Sequence, residues 1–175
     1  MLFLQAQKLN VAITSYMKLR ESNHTIILSY NEENSSNDKT IPSKLNGFLK
    51  YGRKDLYFYH TDGKVSQSSP ICLLDFYVDE EVQRGGLGLA LFEKLLEVMK
   101  FKHHMNFLKE INNYTLIFLD SSFSSSHSQL TNLDPSRMAY DRPSPKLISF
   151  MRKHFNLIKP DVQPNKYTIF EGFHS

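Results

Sequence analysis

The alternation of apolar and polar positions divides the chain into short strands and two amphipathic helices. "HTIILSY" from His24 to Tyr30 is rich in β-branched residues and predicts a strand. Leu45 to Tyr51 and Asp55 to His60 are aromatic-rich and predict two more, with Gly52-Arg53-Lys54 as a hairpin turn between them. Ile71 to Val78, "ICLLDFYV", is apolar almost throughout, which fits a central strand covered on both faces. From about Leu87 to Lys100 the period changes to that of a helix. Leu91, Phe92, Leu95, Leu96 and Met99 form one stripe, with Glu93, Lys94, Glu97 and Lys100 opposite. Arg137 to Tyr140 predicts a short strand. Ser144-Pro145 predicts a helix start, with Ser as cap and Pro in the first turn. Leu147, Ile148, Met151 and Phe155 give that helix its apolar face, and Arg152, Lys153 and His154 suit its carboxyl end. Lys166 to Glu171 predicts a last strand, and Gln5 to Leu9 reads as the end of a helix. Three polar stretches separate these elements: Asn31 to Lys44, "HTDGKVSQSSP" from His60, and the serine-rich part of Phe101 to Asn132. The order predicts one α/β domain with a mixed central sheet flanked by helices.

Composition narrows the class. A chain of 175 residues with 41% hydrophobic and 22% charged residues is neither fibrous nor disordered as a whole. No apolar run approaches the roughly 18 to 20 residues of a membrane span, and Met1 to Gln7 lacks the features of a signal peptide. The single cysteine, Cys72, cannot form an internal disulfide, so a reducing compartment is expected. The net charge of +3 suits an acidic partner or a phosphorylated ligand but is no nucleic-acid footprint. His103 and His104 are adjacent and the other five histidines are scattered, so no metal site is expected.

The most informative segment is Val82-Gln83-Arg84-Gly85-Gly86-Leu87-Gly88, between a buried strand and an amphipathic helix. Backbone N–H groups at a helix N-terminus converge on one place, and the helix dipole adds positive potential there. Glycines allow a diphosphate to approach the main chain, and Arg84 offers a charge-assisted contact. A glycine-rich turn that merely ends a strand is the plain alternative. The spacing is that of neither a Walker A loop nor a dinucleotide fingerprint.

Gln83-x-x-Gly86-x-Gly88 matches the Q/R-x-x-G-x-G/A signature of the GCN5-related N-acetyltransferase (GNAT) superfamily. "CLLDFYVDEEVQRGGLG" from Cys72, "AYDRPSPKLISFMRKHFNL" from Ala139 and "IFEGF" from Ile169 resemble the α-tubulin N-acetyltransferase family, as does "AQKLNVAITS" from Ala6. The resemblance implies the GNAT fold and acetyl transfer from acetyl-CoA to the ε-amine of a luminal lysine of α-tubulin. It also implies direct transfer in a ternary complex, a cytoplasmic place on microtubules, and no metal, nucleic acid or membrane; a monomer is the default expectation. An acceptor other than tubulin, or an inactive microtubule-binding fragment, are the competing expectations.

By the same resemblance Asp141 stands beside the acceptor lysine, where it can attract the ammonium and relay its proton, and Cys72 lies beside the acetyl group. Gln7 orients substrate or water. Read from residue type alone, Asp141 caps a turn, Cys72 is a small core residue, and Asp75 is a structural or substrate-orienting group on the central strand. Phe76, Tyr77, Val78, Asp79, Glu80, Glu81 and Val82, then Gln83, Arg84, Gly85, Gly86, Leu87, Gly88 and Leu89, would form one wall of the coenzyme site. Ser144, Pro145, Lys146, Leu147, Ile148, Ser149, Phe150, Met151, Arg152 and Lys153 would form the other, with Lys146 and Lys153 toward the phosphates. The family's domain begins with a further strand and helix upstream of the residues matching Ala6, so an incomplete start is expected. Its connection after the long helix is short, so residues 101–132 read as an insertion.

Overall fold

A computed structural model describes residues 21–33, 41–104, 115–119 and 133–174, with side chains for 21–30, 44–100 and 133–174. The described elements are β1 (Thr25–Glu33), β2 (Ile41–Arg53), β3 (Leu56–Tyr59), β4 (Val65–Ser68), β5 (Ile71–Val78), α1 (Leu87–His104), β6 (Thr115–Leu119), β7 (Ala139–Asp141), α2 (Pro145–Phe155), β8 (Pro160–Val162) and β9 (Tyr167–Phe170). The main sheet has the order β6-β1-β2-β5-β7-β9-β8, and β3 and β4 form a separate hairpin. β6 runs parallel to β1, and β5 parallel to β7; the remaining pairs are antiparallel. This is the mixed sheet flanked by helices that the sequence predicts.

Several boundaries differ from expectation. Gly52 and Arg53 do not turn a hairpin. They continue β2, opposite Cys72 and Ile71 of β5, so β2 and β3 are not partners. The hairpin partner of β3 is β4, inside the stretch read as loop, and Asp62-Gly63 is their turn: Gly63 has φ +81° and Asp62 accepts from the Lys64 amide at 3.0 Å. Polar spacing hid β4 because Ser66, Gln67 and Ser68 give it no apolar face. The stretch 31–44 is shorter as a loop than its composition suggests, since β1 and β2 pair out to Glu33 and Ile41. Part of 101–132 belongs to the sheet: α1 runs to His104, and β6 lies beside β1 from Thr115 to Leu119. β8 was not expected, and a 3-10 turn over Pro135–Arg137 precedes β7 where the strand was expected to start. The expected helix end at Gln5 to Leu9 lies outside the described residues.

The sheet buries both faces of its centre. On one face Ile27, Leu49, Leu73 and Tyr140 pack with Leu91, Phe92 and Leu95 of α1 and Met151 of α2. On the other, Cys72, Ala139 and Ile169 pack with Leu56 and Phe58 of the β3–β4 hairpin. The second cluster is the smaller of the two. α2 is bounded as its residues dictate. Ser144 Oγ accepts from the Leu147 amide at 3.2 Å, and Asn156 ends the helix in the left-handed conformation at φ +55°.

His24, at the start of β1, lies over Gly52, so close that a Cβ there would sit 2.4 Å from the imidazole Cδ2. Its Nδ1 is buried with no hydrogen-bond partner among the described residues. Burial, then the charges of Lys54 and Lys50, lower its pKa to about 4. Folding therefore gains from neutral His24 above its unfolded pKa of about 6.5 and loses that gain as pH falls from 6.5 toward 4. Urea unfolding at pH 7.5 and pH 5 should show a smaller acid-induced loss in His24→Leu than in the parent. Equal losses would clear His24 of the effect.

Candidate active site

The site begins with an irregularity in β5. Ile71 and Leu73 face the helices, and so do Phe76 and Val78, so the alternation slips by one residue between them. The register agrees: Tyr51 lies opposite Leu73 and Lys50 opposite Asp75, leaving Leu74 extra. A bulge of this kind withdraws backbone groups from the ladder and turns the strand. On its other side β5 pairs with β7 only at Cys72↔Ala139 and Leu73↔Tyr140. β7 ends at Asp141 and the chain leaves for α2, so the two parallel strands part directly beyond the bulge.

The glycine loop lies at the far end of β5. Asp79 closes the strand: its amide donates to the Asn46 carbonyl at 2.8 Å, and its carboxylate accepts from the Glu81 amide at 3.0 Å. Lys44 pairs with Glu81 and lies 3.8 Å from Asp79, so its one positive charge is shared between two of the three acidic groups ahead of the loop. Gln83 Nε2 donates back to the Val78 carbonyl at 2.9 Å. Arg84 at φ +68° and Gly86 at φ +87° then reverse the chain. Glycine suits the second of these, since an L side chain there is strained. The first helical bond links the Ala90 amide to the Gly86 carbonyl, and no acidic residue lies in the first turn of α1. The amides of Leu87, Gly88 and Leu89 therefore head the helix without helical partners. At Gly88 a Cβ would already reach 3.4 Å from Phe76 and 3.7 Å from Phe150.

Those two rings belong to an aromatic cluster that ties the two expected walls together. Phe76 and Phe150 are 5.6 Å apart between centroids, Phe92 and Phe155 4.6 Å, and Phe92 and Phe150 6.2 Å. Leu147, Ile148 and Met151 of α2 join the same core, while Pro145, Lys146, Ser149, Arg152 and Lys153 are exposed. The arrangement leaves Lys146, Arg152 and Lys153, like the exposed Arg84, open to solvent.

At the parting of β5 and β7 the structure gathers Cys72 and Asp141. Asp141 lies two residues beyond Ala139, the neighbour of Cys72, so both side chains share the face covered by the hairpin. Asp141 does not simply cap a turn. Arg142 Nε and Nη2 reach its two oxygens at 2.8 and 3.2 Å, and the Arg142 amide donates to the Lys166 carbonyl at 3.2 Å. Cys72 is fully buried and its thiol donates to the Pro70 carbonyl at 3.6 Å. Burial above all, and the Asp141 charge in part, push the thiol up to about 12. At neutral pH the thiol therefore keeps its proton. Tyr167 of β9 lies opposite Asp141 across the ladder, a neighbour that sequence reasoning missed because it looked like an ordinary strand residue. Asp75 faces Lys50, a buried cation, across β2 and β5. Gln7 lies outside the described residues.

The parted parallel pair, the bulge and the glycine loop at a helix N-terminus thus follow one another along β5 and its exit. Over residues 3–129 and 127–175 the chain matches the family described as GNAT acetyltransferase, Mec-17. The chain belongs to this family. It is 37% identical to the α-tubulin N-acetyltransferase of Aedes aegypti over 97% of this chain and 48% of that protein. It is 36% identical to that of Anopheles gambiae over 97% of this chain and 27% of that protein. It is 33% identical to α-tubulin N-acetyltransferase 1 of Danio rerio over 97% of this chain and 45% of that protein. The chain thus spans less than half the length of each of these relatives. Among the described residues no group of three or more His, Cys, Asp or Glu could hold a metal, and no helix is long and apolar enough to cross a membrane.

Proposed function

We infer that this chain transfers acetyl from acetyl-CoA to the ε-amine of a luminal lysine of α-tubulin in microtubules, by direct transfer in a ternary complex. The observation that carries this reading is the parting of β5 from β7 with Asp141 and Cys72 at its apex and the glycine loop at its far end. The names of the relatives supply the acceptor. The site fits acetyl-CoA. The αL glycine and the unpartnered amides at the head of α1 suit its pyrophosphate, with Arg84, Lys146 and Lys153 as surrounding cations. When bound, the coenzyme supplies the thioester that gives up the acetyl group.

The chain's own residues then have separable tasks. An acceptor lysine near pKa 10.4 is almost wholly ammonium at neutral pH, so the site must remove a proton and aim the nitrogen. Asp141 attracts the ammonium and takes or relays the proton. Backbone groups freed by the Leu74 bulge offer hydrogen bonds where the acetyl oxygen gathers charge. Cys72 and Leu74 shape an apolar wall that keeps water from competing. The enzyme acts in the cytoplasm on the microtubule, and its net charge of +3 favours the approach to an acidic surface.

The test is acetylation of assembled microtubules with acetyl-CoA, read by mass spectrometry of the modified lysines. Acetyl on α-tubulin lysine confirms the reaction and its acceptor. Acetyl-CoA binding without tubulin acetylation points to another lysine or small amine, and absence of binding points to an inactive fragment.

A further inference from the structure

We propose that the Tyr167 hydroxyl contacts the acceptor amine, as a second group beside Asp141 that fixes the nitrogen for attack; this rests on the acetyltransferase reading above. Tyr167 and Asp141 are directly opposite in the β7–β9 ladder, so their side chains leave the sheet on the same face as neighbours. Cys72, on β5, shares that face, and three adjacent strands thus deliver a thiol, a carboxylate and a phenol to one place. Tyr167 is half-buried against the cluster formed by Cys72, Ala139, Ile169 and the hairpin residues Leu56 and Phe58. Phenylalanine would satisfy that packing equally well. The hydroxyl makes no hydrogen bond to a described residue, although the Tyr167 amide is held by Asn165 Oδ1 at 3.1 Å.

The chemistry of the two groups is complementary. A neutral amine has two N–H donors and one lone pair. If Asp141 accepts one hydrogen and the Tyr167 oxygen the other, the lone pair is left to point at the acetyl carbon. The phenol keeps its proton throughout, because burial and then the charge of Asp141 raise it to about 12. It orients and does not act as the base. Its position also selects the acceptor side. β9 lies beyond β7 from the slot between β5 and β7, so the phenol approaches the amine and not the coenzyme.

The test compares the parent chain with Tyr167→Phe on assembled microtubules, with acetyl-CoA and tubulin each varied. The expected result is a fall in kcat/KM for tubulin of about tenfold, the size of one charge-influenced hydrogen bond. The acetyl-CoA Kd by calorimetry and the melting temperature should match the parent. A kcat/KM within twofold of the parent overturns the assignment, as does a loss accompanied by an equal loss in coenzyme affinity or in melting temperature. A parent chain that binds acetyl-CoA but acetylates no tubulin refutes the underlying reading, whereas an active parent with an indifferent variant refutes only the role of Tyr167.

Discussion

Asp141→Asn should cut the initial rate of microtubule acetylation by about a hundredfold or more, within the range of about 10² to 10⁴ for a positioned acid–base group. Asparagine keeps the shape of the side chain and can still meet Arg142. It loses the negative charge that draws the substrate ammonium and the acceptor site for its proton. Stability should barely change. The Arg142 partner is 66% exposed, and surface pairs of this kind contribute roughly 0 to 1 kcal/mol. Acetyl-CoA affinity should also hold, since Asp141 lies level with the middle of β5, about four residues short of the end that leads to the glycine loop. Rates measured beside a calorimetric Kd and a melting curve separate the three. A rate within fivefold of the parent would remove Asp141 from the chemistry.

Phe92→Ala should cost about 3 to 5 kcal/mol of stability, the usual price of emptying a large aromatic site in a core. Phe92 is fully buried on α1 between the sheet and α2, with Phe155 at 4.6 Å and Phe150 at 6.2 Å. The cavity would open between the two helices, where neither can slide inward without dragging an end of the site. Against a typical total of about 5 to 15 kcal/mol, the variant should be close to unfolding at physiological temperature. Urea denaturation gives the number directly. A loss below about 1 kcal/mol would mean that Phe150 and Phe155 refill the space, and that the walls are more adaptable than their packing implies.

The sequence made some of this legible and hid the rest for identifiable reasons. β5 and α2 stand where their residues place them, because a continuous apolar run and a Ser-Pro cap each have few alternatives. The stripe from Leu91 to Leu96 marked the inward face of α1. The bulge at Leu74 was invisible for the same reason that β5 was easy to see: apolar residues on both faces conceal a slip in alternation. At Gly52 a local turn signal yields to long-range pairing with Cys72. β4 and β8 have no buried residues, so no hydrophobic period could announce them. At the site, the glycine spacing and the Asp141 motif carried the reading. Tyr167 did not show itself, because its importance lies in the strand opposite and not in its own neighbours along the chain.

The brevity of the β5–β7 pairing has a mechanical consequence. Among the described residues two residue pairs make the only ladder joining β6-β1-β2-β5 to β7-β9-β8, so the sheet is two half-sheets sharing a narrow seam. Across that seam the cores on the two faces are the remaining fastening, with Phe76 against Phe150 near the mouth on one and Cys72 with Ala139 and Ile169 on the other. A ligand laid between the parted strands would act as a splint, bridging halves that the backbone leaves apart. Occupancy of the slot and cohesion of the whole domain are then one equilibrium, and heat should separate the halves most readily when the slot is empty.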